Sequence, residues 1–158
     1  MIEPHAEHFD ADPARPDTDR LTLIVVGAHL RAERVDRPIA YRLREHLLRE
    51  VDALGADMDV MLCTDVWYLN NDALRARPTV SVGGPGVNAL SAFLIDKVPT
   101  AFAIDDVLSI HMDVEDADPI ACVWGTSAGA LASGVDAFCE RYAERFVRLA
   151  SARSGGAG

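Results

Sequence analysis

The sequence TVSVGGPGVNA, at residues 79–89, places a strand, a glycine-rich turn and the start of a helix in succession. Two valines alternate with Thr and Ser as they would along a strand, and a helical pattern of apolar residues begins at Asn88. Gly83, Gly84 and Gly86 allow a tight turn and let the oxygens of a ligand approach the backbone. Such a turn directs backbone N–H groups and the positive end of a helix dipole at one place. The stretch therefore predicts both a fold element and a binding position.

Two aliphatic runs precede this stretch, at residues 21–28 (LTLIVVGA) and 59–64 (DVMLCT). Near-continuous apolar runs are typical of strands that are buried on both faces of a parallel sheet. Between them, Pro38 suits the first position of a helix and Gly55 suits its C-terminal cap. The apolar stripe of this helix has spacings of three and four, and it consists of Ile39, Leu43, Leu47, Val51 and Leu54.

The second half of the chain continues with a strand at 100–104 and an alternating pattern at 107–114, where one face is apolar. A turn rich in Asp and Pro separates it from another strand at 119–124, so the two predict an antiparallel hairpin at one edge of the sheet. One final helix is expected after Ser127, which is a good N-cap residue.

Strands that alternate with helices over short links predict a three-layer α/β fold, Rossmann-like or flavodoxin-like, with an antiparallel edge hairpin on a mostly parallel sheet. We expect strands 79–83 and 100–104 to be among its parallel strands. A length of 158 residues predicts a single domain, which we place at 21–150. Residues 1–20, which have six acids, predict a disordered acidic tail, and 151–158 (SARSGGAG) predict a flexible C-terminal tail.

The net charge of the chain argues against some classes of binding partner. A net charge of −10 and a pI near 4.8 argue against binding to nucleic acid or to an anionic membrane surface. The sequence has no apolar run of membrane-spanning length and no signal-peptide pattern, so the expected location is cytoplasmic. Residues 29–44 differ, because five arginines there face two acids. This basic segment is either a solvated surface or part of an anion site.

Ligands of doubly wound sheets bind beyond the carboxyl ends of the strands. In this sequence, His29 follows the first strand, Asp65 the second and Asp105 the fourth, while Arg34 lies in the basic segment. We therefore expect an anionic small molecule, phosphorylated or nucleotide-like, at this edge of the sheet. The alternative is that the glycines only form a turn and that Asn88 only caps a helix. The candidate ligand-binding residues are Gly83, Gly84, Gly86, Asn88, His29, Arg34, Asp65 and Asp105.

More specific nucleotide and hydrolase motifs are incomplete. Gly84-x-Gly86-x-x-Ala89 fits the dinucleotide fingerprint, but Pro85 removes an N–H group and the following helix is short. No Walker A lysine follows the glycines. Residues 125–129 (GTSAG) resemble a nucleophile elbow, but no histidine follows them, so we interpret the serine as a helix cap. The sequence accordingly leaves both the cofactor and any catalysed reaction unassigned.

Candidate metal ligands and nucleophiles are also weak. The three cysteines lie in apolar segments without ligand spacing, which predicts buried, inert thiols and no zinc site. His29 and His111 are expected to be ordinary surface or interface residues, with no nucleophile paired to either. The acidic tail holds residues that could ligate a metal only if a scaffold fixed them: Glu3, His5, Glu7, His8 and Asp10.

Three short motifs resemble those of a family of uncharacterised bacterial α/β proteins. They are Asp65-Val66-Trp67-Tyr68-Leu69-Asn70, Ser81-x-Gly83-Gly84-Pro85-Gly86-x-Asn88-Ala89-Leu90 and Val123-Trp124-Gly125. The resemblance covers about residues 21–150. It implies an α/β fold and no particular activity.

The segment Trp67-Tyr68-Leu69 is more apolar than a solvent-facing loop requires. It predicts a homo-oligomer, with a two-fold dimer as the commonest closed form. This supports a second hypothesis, in which the protein is a non-catalytic assembly or scaffold module.

Overall fold

The computed structural model describes residues 18–115 and 118–155, and in these residues a six-stranded sheet lies between two layers of helices. The strand order across the sheet is β2-β1-β3-β6-β5-β4. This confirms the predicted α/β class with a mostly parallel sheet. The strands are β1 (Leu21–Val26), β2 (Asp59–Thr64), β3 (Thr79–Val82), β4 (Thr100–Ile104), β5 (Leu108–Met112) and β6 (Ile120–Gly125).

Helices cover both faces of the sheet. On one face α1, α5 and α6 share a core that includes Leu43 and Phe138. On the other face α2, α3 and α4 enclose a second core around Tyr68, Leu74 and Leu90. The helices are α1 (Arg37–Leu54), α2 (Asp65–Leu69), α3 (Asp72–Arg75), α4 (Ala89–Leu94), α5 (Ala128–Arg141) and α6 (Ala143–Gly155).

The strand directions correct one prediction. β1 pairs in parallel with β2 and β3, and β3 pairs in parallel with β6, whereas β5 is antiparallel to both β6 and β4. Residues 100–104 therefore lie at the antiparallel edge and have no parallel neighbour. The predicted hairpin of β5 and β6 is confirmed, but β6 is an interior strand. Its residues 121–123 are fully buried, which suits the interior of a sheet, while both ends of β4 are exposed.

Helical structure begins before Pro38, the predicted first position of the helix. Helical structure begins at Leu30, and residues Ala32–Asp36 form a π-helical turn, in which the Arg37 N–H donates to the Ala32 carbonyl. Pro38 has no N–H group, and its ring would collide with the carbonyl of the preceding turn of a regular α-helix. The wider π turn accommodates it. We call residues Ala32–Asp36 the π turn, and it follows the carboxyl end of β1 in the chain.

The predicted last helix consists of two helices that meet at Tyr142, where φ is −128°. The hydroxyl of Tyr142 donates to the Ala101 carbonyl of β4 at 3.2 Å, which ties this junction to the sheet edge. α6 continues to Gly155, so residues 151–155 of the predicted C-terminal tail are helical. Of the predicted N-terminal tail, Thr18–Arg20 form a 3₁₀ turn, and residues 1–17 lie outside the described residues.

Candidate functional site

Asn88, predicted to cap α4, is buried, and its side chain forms four hydrogen bonds. Its Oδ1 accepts from the N–H groups of Leu90 at 3.0 Å and Ser91 at 3.2 Å. Its Nδ2 donates to the carbonyls of Val25 at 3.1 Å and Val82 at 3.0 Å. The amide group is thereby fully used within the protein. Asn88 connects the ends of β1 and β3 to the start of α4.

Asp65 also accepts a hydrogen bond at the N-terminus of α4. Its Oδ1 accepts from the N–H groups of Ala28 at 2.8 Å and Val66 at 2.7 Å, and its Oδ2 accepts from that of Ala89 at 2.8 Å. The side chain is buried. A carboxylate at a helix N-terminus is where the helix dipole favours negative charge. The carboxylate of Asp65 thus occupies the position that an external anion would take at α4.

At two positions of this region, a residue with a side chain would collide with neighbouring atoms. Gly83 has φ of +112°, and a Cβ there would lie 2.5 Å from Oδ2 of Asp36. A Cβ on Gly27 would lie 1.7 Å from the carbonyl oxygen of Val87, because the end of β1 packs directly against the turn. Glycine is therefore needed for the backbone conformation at the first position and for close approach at the second.

The other two glycines of the turn face open space. We call residues 83–88 the glycine turn. A Cβ on Gly84 or Gly86 would have no described atom within 4 Å. The turn is closed by the N–H groups of Val87 and Asn88, which both donate to the Gly84 carbonyl. No described residue accepts a hydrogen bond from the N–H of Gly84 or Gly86. These two N–H groups are available to a ligand.

A cleft of about 200 Å³ lies beside the glycine turn, between the π turn and the start of α5. We call it the cleft, and Gly84 and Gly86 line it together with Arg31 and Asp36. Arg31 and Asp36 are five residues apart, and a π turn relates residues at this spacing. The geometry of the π turn thus positions both side chains at the cleft.

The start of α5 forms the opposite wall. Ser127 is the predicted N-cap, and its Oγ accepts from the Ala130 N–H at 3.1 Å while its carbonyl accepts from the Leu131 N–H at 2.9 Å. Within the described chain, the N–H groups of Ala128 and Gly129 have no acceptor. Because α5 has 14 residues, its dipole places partial positive charge at this wall.

Asp36 is the unusual group of the cleft. The residue is 7% exposed, and no hydrogen-bond partner for its buried Oδ2 lies among the described residues. Burial raises the pKa of this carboxyl group, while the positive charge of Arg31 acts in the opposite direction. A buried polar atom without a partner lowers stability, and such atoms are concentrated where a ligand completes the hydrogen bonding.

The arginines of the predicted basic segment have different surroundings in the structure. Arg37 forms a bidentate pair with Glu33, at 2.7 and 3.0 Å, and this pair raises the pKa of Arg37. Arg42 and Arg44 also bond within the protein, to Asp136 of α5 and to a β2 carbonyl. Arg34 lines a neighbouring shallow depression with His29. Of the five arginines, Arg31 alone lines the cleft.

His29 and Asp105 lie outside the cleft. His29 is exposed at the end of β1, where its Nδ1 accepts from the Arg31 N–H at 3.1 Å. Asp105 is exposed in the β4–β5 turn beside Asp106, whose φ of +59° is left-handed. β4 ends at the same edge as β3, but β6 and β5 lie between them. Strand spacing alone puts Asp105 about 14 Å from the glycine turn.

A buried serine–histidine pair was not foreseen. His111 is 5% exposed, not at the surface as expected, and its Nε2 lies 2.8 Å from Oγ of Ser109. Its Nδ1 lies 3.1 Å from the Val98 carbonyl, which can only accept, so Nε2 can accept the serine proton. Ser109 is 9% exposed. The two polar residues at alternate positions of β5 were a usable signal, but the alternation by itself predicts only that one face of the strand is apolar.

The remaining candidates for reactive or metal-binding groups are the cysteines. Burial raises the pKa of Cys63, Cys122 and Cys139 to about 11 in each case. Thiols with such a pKa are almost entirely protonated at neutral pH and are poor nucleophiles. In the part of the chain that the structure describes, no three His, Cys, Asp or Glu residues come together to hold a metal ion, and no helix is long and apolar enough to cross a bilayer.

The sequence matches no model of a known protein family, and comparison with curated proteins gives no significant match. The class of the site therefore follows from its own geometry. It is a small cleft at the carboxyl edge of an α/β sheet, with one arginine, one buried carboxyl group and, on two walls, backbone N–H groups that meet no acceptor among the described residues.

Proposed function

We propose that the protein binds an anionic small molecule in the cleft. One observation supports this most directly: N–H groups without an acceptor among the described residues lie on both sides of it, on Gly84 and Gly86 and on Ala128. Arg31 adds a positive side chain, and the α5 dipole adds partial positive charge. Backbone N–H groups at a helix start are a common means of binding phosphate.

The volume of the cleft favours a phosphate-sized group over a whole dinucleotide. Sites for drug-sized ligands usually have about 300–1,000 Å³, and this cleft has about 200 Å³. The ligand we propose is a phosphorylated or nucleotide-like metabolite whose phosphate enters the cleft. Its remaining part would extend over the depression that Arg34 and His29 line beside the π turn.

Thermal unfolding with phosphate, phosphorylated sugars, nucleotides and dinucleotides tests the proposal. A ligand at a hundred times its dissociation constant should stabilise the fold by about 2.7 kcal/mol. Gly86→Val should abolish this stabilisation, because a side chain there projects into open space at the cleft. Ser133→Val is the matched control, since it adds the same side chain at an exposed position of α5 that does not line the cleft.

Arg31→Gln should weaken binding and reduce its salt dependence, whereas Arg42→Gln, which removes a cation that is paired with Asp136, should leave both unchanged. Equal effects of the two arginine variants would contradict binding in the cleft. So would a panel in which no anion raises the melting temperature.

A second function, homo-oligomeric assembly, is favoured by a different surface. Val66 and Trp67 of α2 and Phe93 of α4 are each at least half exposed, and the two helices pack on the same face. Tyr68, in contrast, is buried and its hydroxyl lies 3.1 Å from Oγ1 of Thr79, so it does not belong to this surface. We propose that α2 and α4 form the interface of a two-fold dimer.

Sedimentation of the wild-type chain and of Trp67→Ala tests the dimer. We expect the wild type to sediment as a dimer at tens of micromolar and the variant to dissociate more readily, because large exposed apolar side chains contribute most to such interfaces. A wild type that sediments as a monomer would exclude the dimer. A variant that associates as tightly as the wild type would exclude this surface.

A further inference from the structure

The buried carboxyl group of Asp36 lies beside a site that otherwise favours anions. The cleft has two charged side chains among its described lining residues, Asp36 and Arg31. Oδ2 of Asp36 is buried, has no described hydrogen-bond partner and faces Gly83. A fully ionised anion in the cleft would place its acceptor oxygens beside the carboxylate of Asp36, which also only accepts hydrogen bonds. A ligand that supplies a proton between them avoids this repulsion without requiring the carboxyl group itself to be protonated.

We propose that Asp36 makes the cleft selective for anions that carry an ionisable proton, so that hydrogen phosphate and phosphomonoesters bind in preference to sulfate. This inference rests on the proposed anion-binding function. Asp36 acts as a specificity-determining residue, and the ligand oxygen and the carboxylate share one proton in a hydrogen bond. The N–H groups of the glycine turn and of α5, together with Arg31, bind the remaining oxygens.

The chemistry of the two anions supplies the discrimination. The second pKa of a phosphate monoester is about 6, so near this pH many of its molecules carry a P–O–H donor. Sulfate is fully ionised there and offers acceptors only. A buried acceptor that stays unpaired costs enough to change affinity by about 10- to 100-fold. We therefore expect phosphate and methyl phosphate to bind at least about tenfold more tightly than sulfate.

Titration calorimetry at about pH 6 with inorganic phosphate, methyl phosphate and sulfate tests this selectivity. The variant Asp36→Asn keeps the shape of the side chain but presents an N–H₂ donor, so sulfate should bind it about as tightly as phosphate does. Asp136→Asn, which removes a carboxylate of α5 that pairs with Arg42 away from the cleft, is the control. It should retain the wild-type preference.

The outcomes separate the inference from the proposed function. If the wild type binds phosphate and sulfate equally, or if Asp36→Asn keeps the wild-type preference, the selectivity is overturned while anion binding stands. If neither the wild type nor Asp36→Asn binds any of the three anions, the proposed function fails as well. The ratio measured on the wild type decides the inference even if Asp36→Asn does not fold.

Discussion

The helices α4 and α5 both begin at the carboxyl edge of the sheet, but their N-termini are completed in different ways. At α4, Asp65 and Asn88 accept the N–H groups of the first three residues. At α5, Ser127 accepts two N–H groups, and those of Ala128 and Gly129 meet no described acceptor. The first helix end is closed by side chains of the protein, and the second opens on the cleft.

This difference shows why a helix N-terminus is not in itself a binding site. Asn88 is a stronger sequence signal, and its side chain stabilises the fold, whereas Gly84 and Gly86 of the glycine turn line the cleft. The weaker signal, around Ser127, belongs to the helix end whose first N–H groups meet no acceptor in the described part of the chain. Groups that already form hydrogen bonds contribute stability, and groups left unbonded lower stability but can bind a ligand.

The largest expected loss of stability follows from removal of the carboxylate at the N-terminus of α4. Asp65→Ala removes the acceptor of three backbone N–H groups, two of them at 2.8 Å from distant elements. Since a hydrogen bond to a charged group contributes about 1.5–3 kcal/mol, the free energy of unfolding should fall by about 3 kcal/mol or more. Urea denaturation measures it. A loss below about 1 kcal/mol would show that α4 does not depend on this carboxylate.

Removal of the two helix caps should lower the free energy of unfolding by smaller and unequal amounts. Asn88→Ala removes a cap and also leaves the carbonyls of Val25 and Val82 without their donor, so it should cost about 2–3 kcal/mol. Ser127→Ala removes a single accepted hydrogen bond at the exposed start of α5 and should cost about 1 kcal/mol. Equal losses in thermal or urea unfolding would contradict the assignment of one cap to stability and the other to the cleft.

The smallest expected effect is an increase in stability, and it concerns the substitution of Asp36. Burial raises the pKa of Asp36 above its ordinary value of 3.8, so the ionised group lowers stability in the folded state. The penalty is absent at pH values below 3.8, where the carboxyl group is protonated in both states, and it develops as pH rises through the raised pKa. Asp36→Asn should therefore be more stable than the wild type at neutral pH, with the gain vanishing in acid. Urea titrations across this range measure the gain, and a variant that is less stable at neutral pH would contradict it.

Local sequence patterns were enough for the elements near the site. The aliphatic run of β1, the glycine turn after β3 and the left-handed cap at Gly55, with φ of 62°, were all predictable from residue type and spacing. Asn88 and Ser127 were likewise predicted as caps, and both cap a helix.

Contacts between distant segments were not predictable in this way. The edge position of β4 depends on which strand pairs with β3, and the alternation in β5 does not show that its polar residues are covered. Asp36 looked like one of two acids in a basic segment. Its burial beside Gly83 arises only from the π turn, and a proline at position 38 had indicated a helix start instead.

The π turn holds one residue more than a regular helical turn would need. Deletion of one residue from Ala32–Asp36 would restore α-helical winding and rotate the preceding residues by about 100° around the helix axis. Arg31 would leave the cleft, while Leu43 and Leu47 of α1 would keep their contacts with the core. In evolution, a single insertion or deletion in this turn can therefore create or remove the charged wall of the cleft while the core of the domain stays the same.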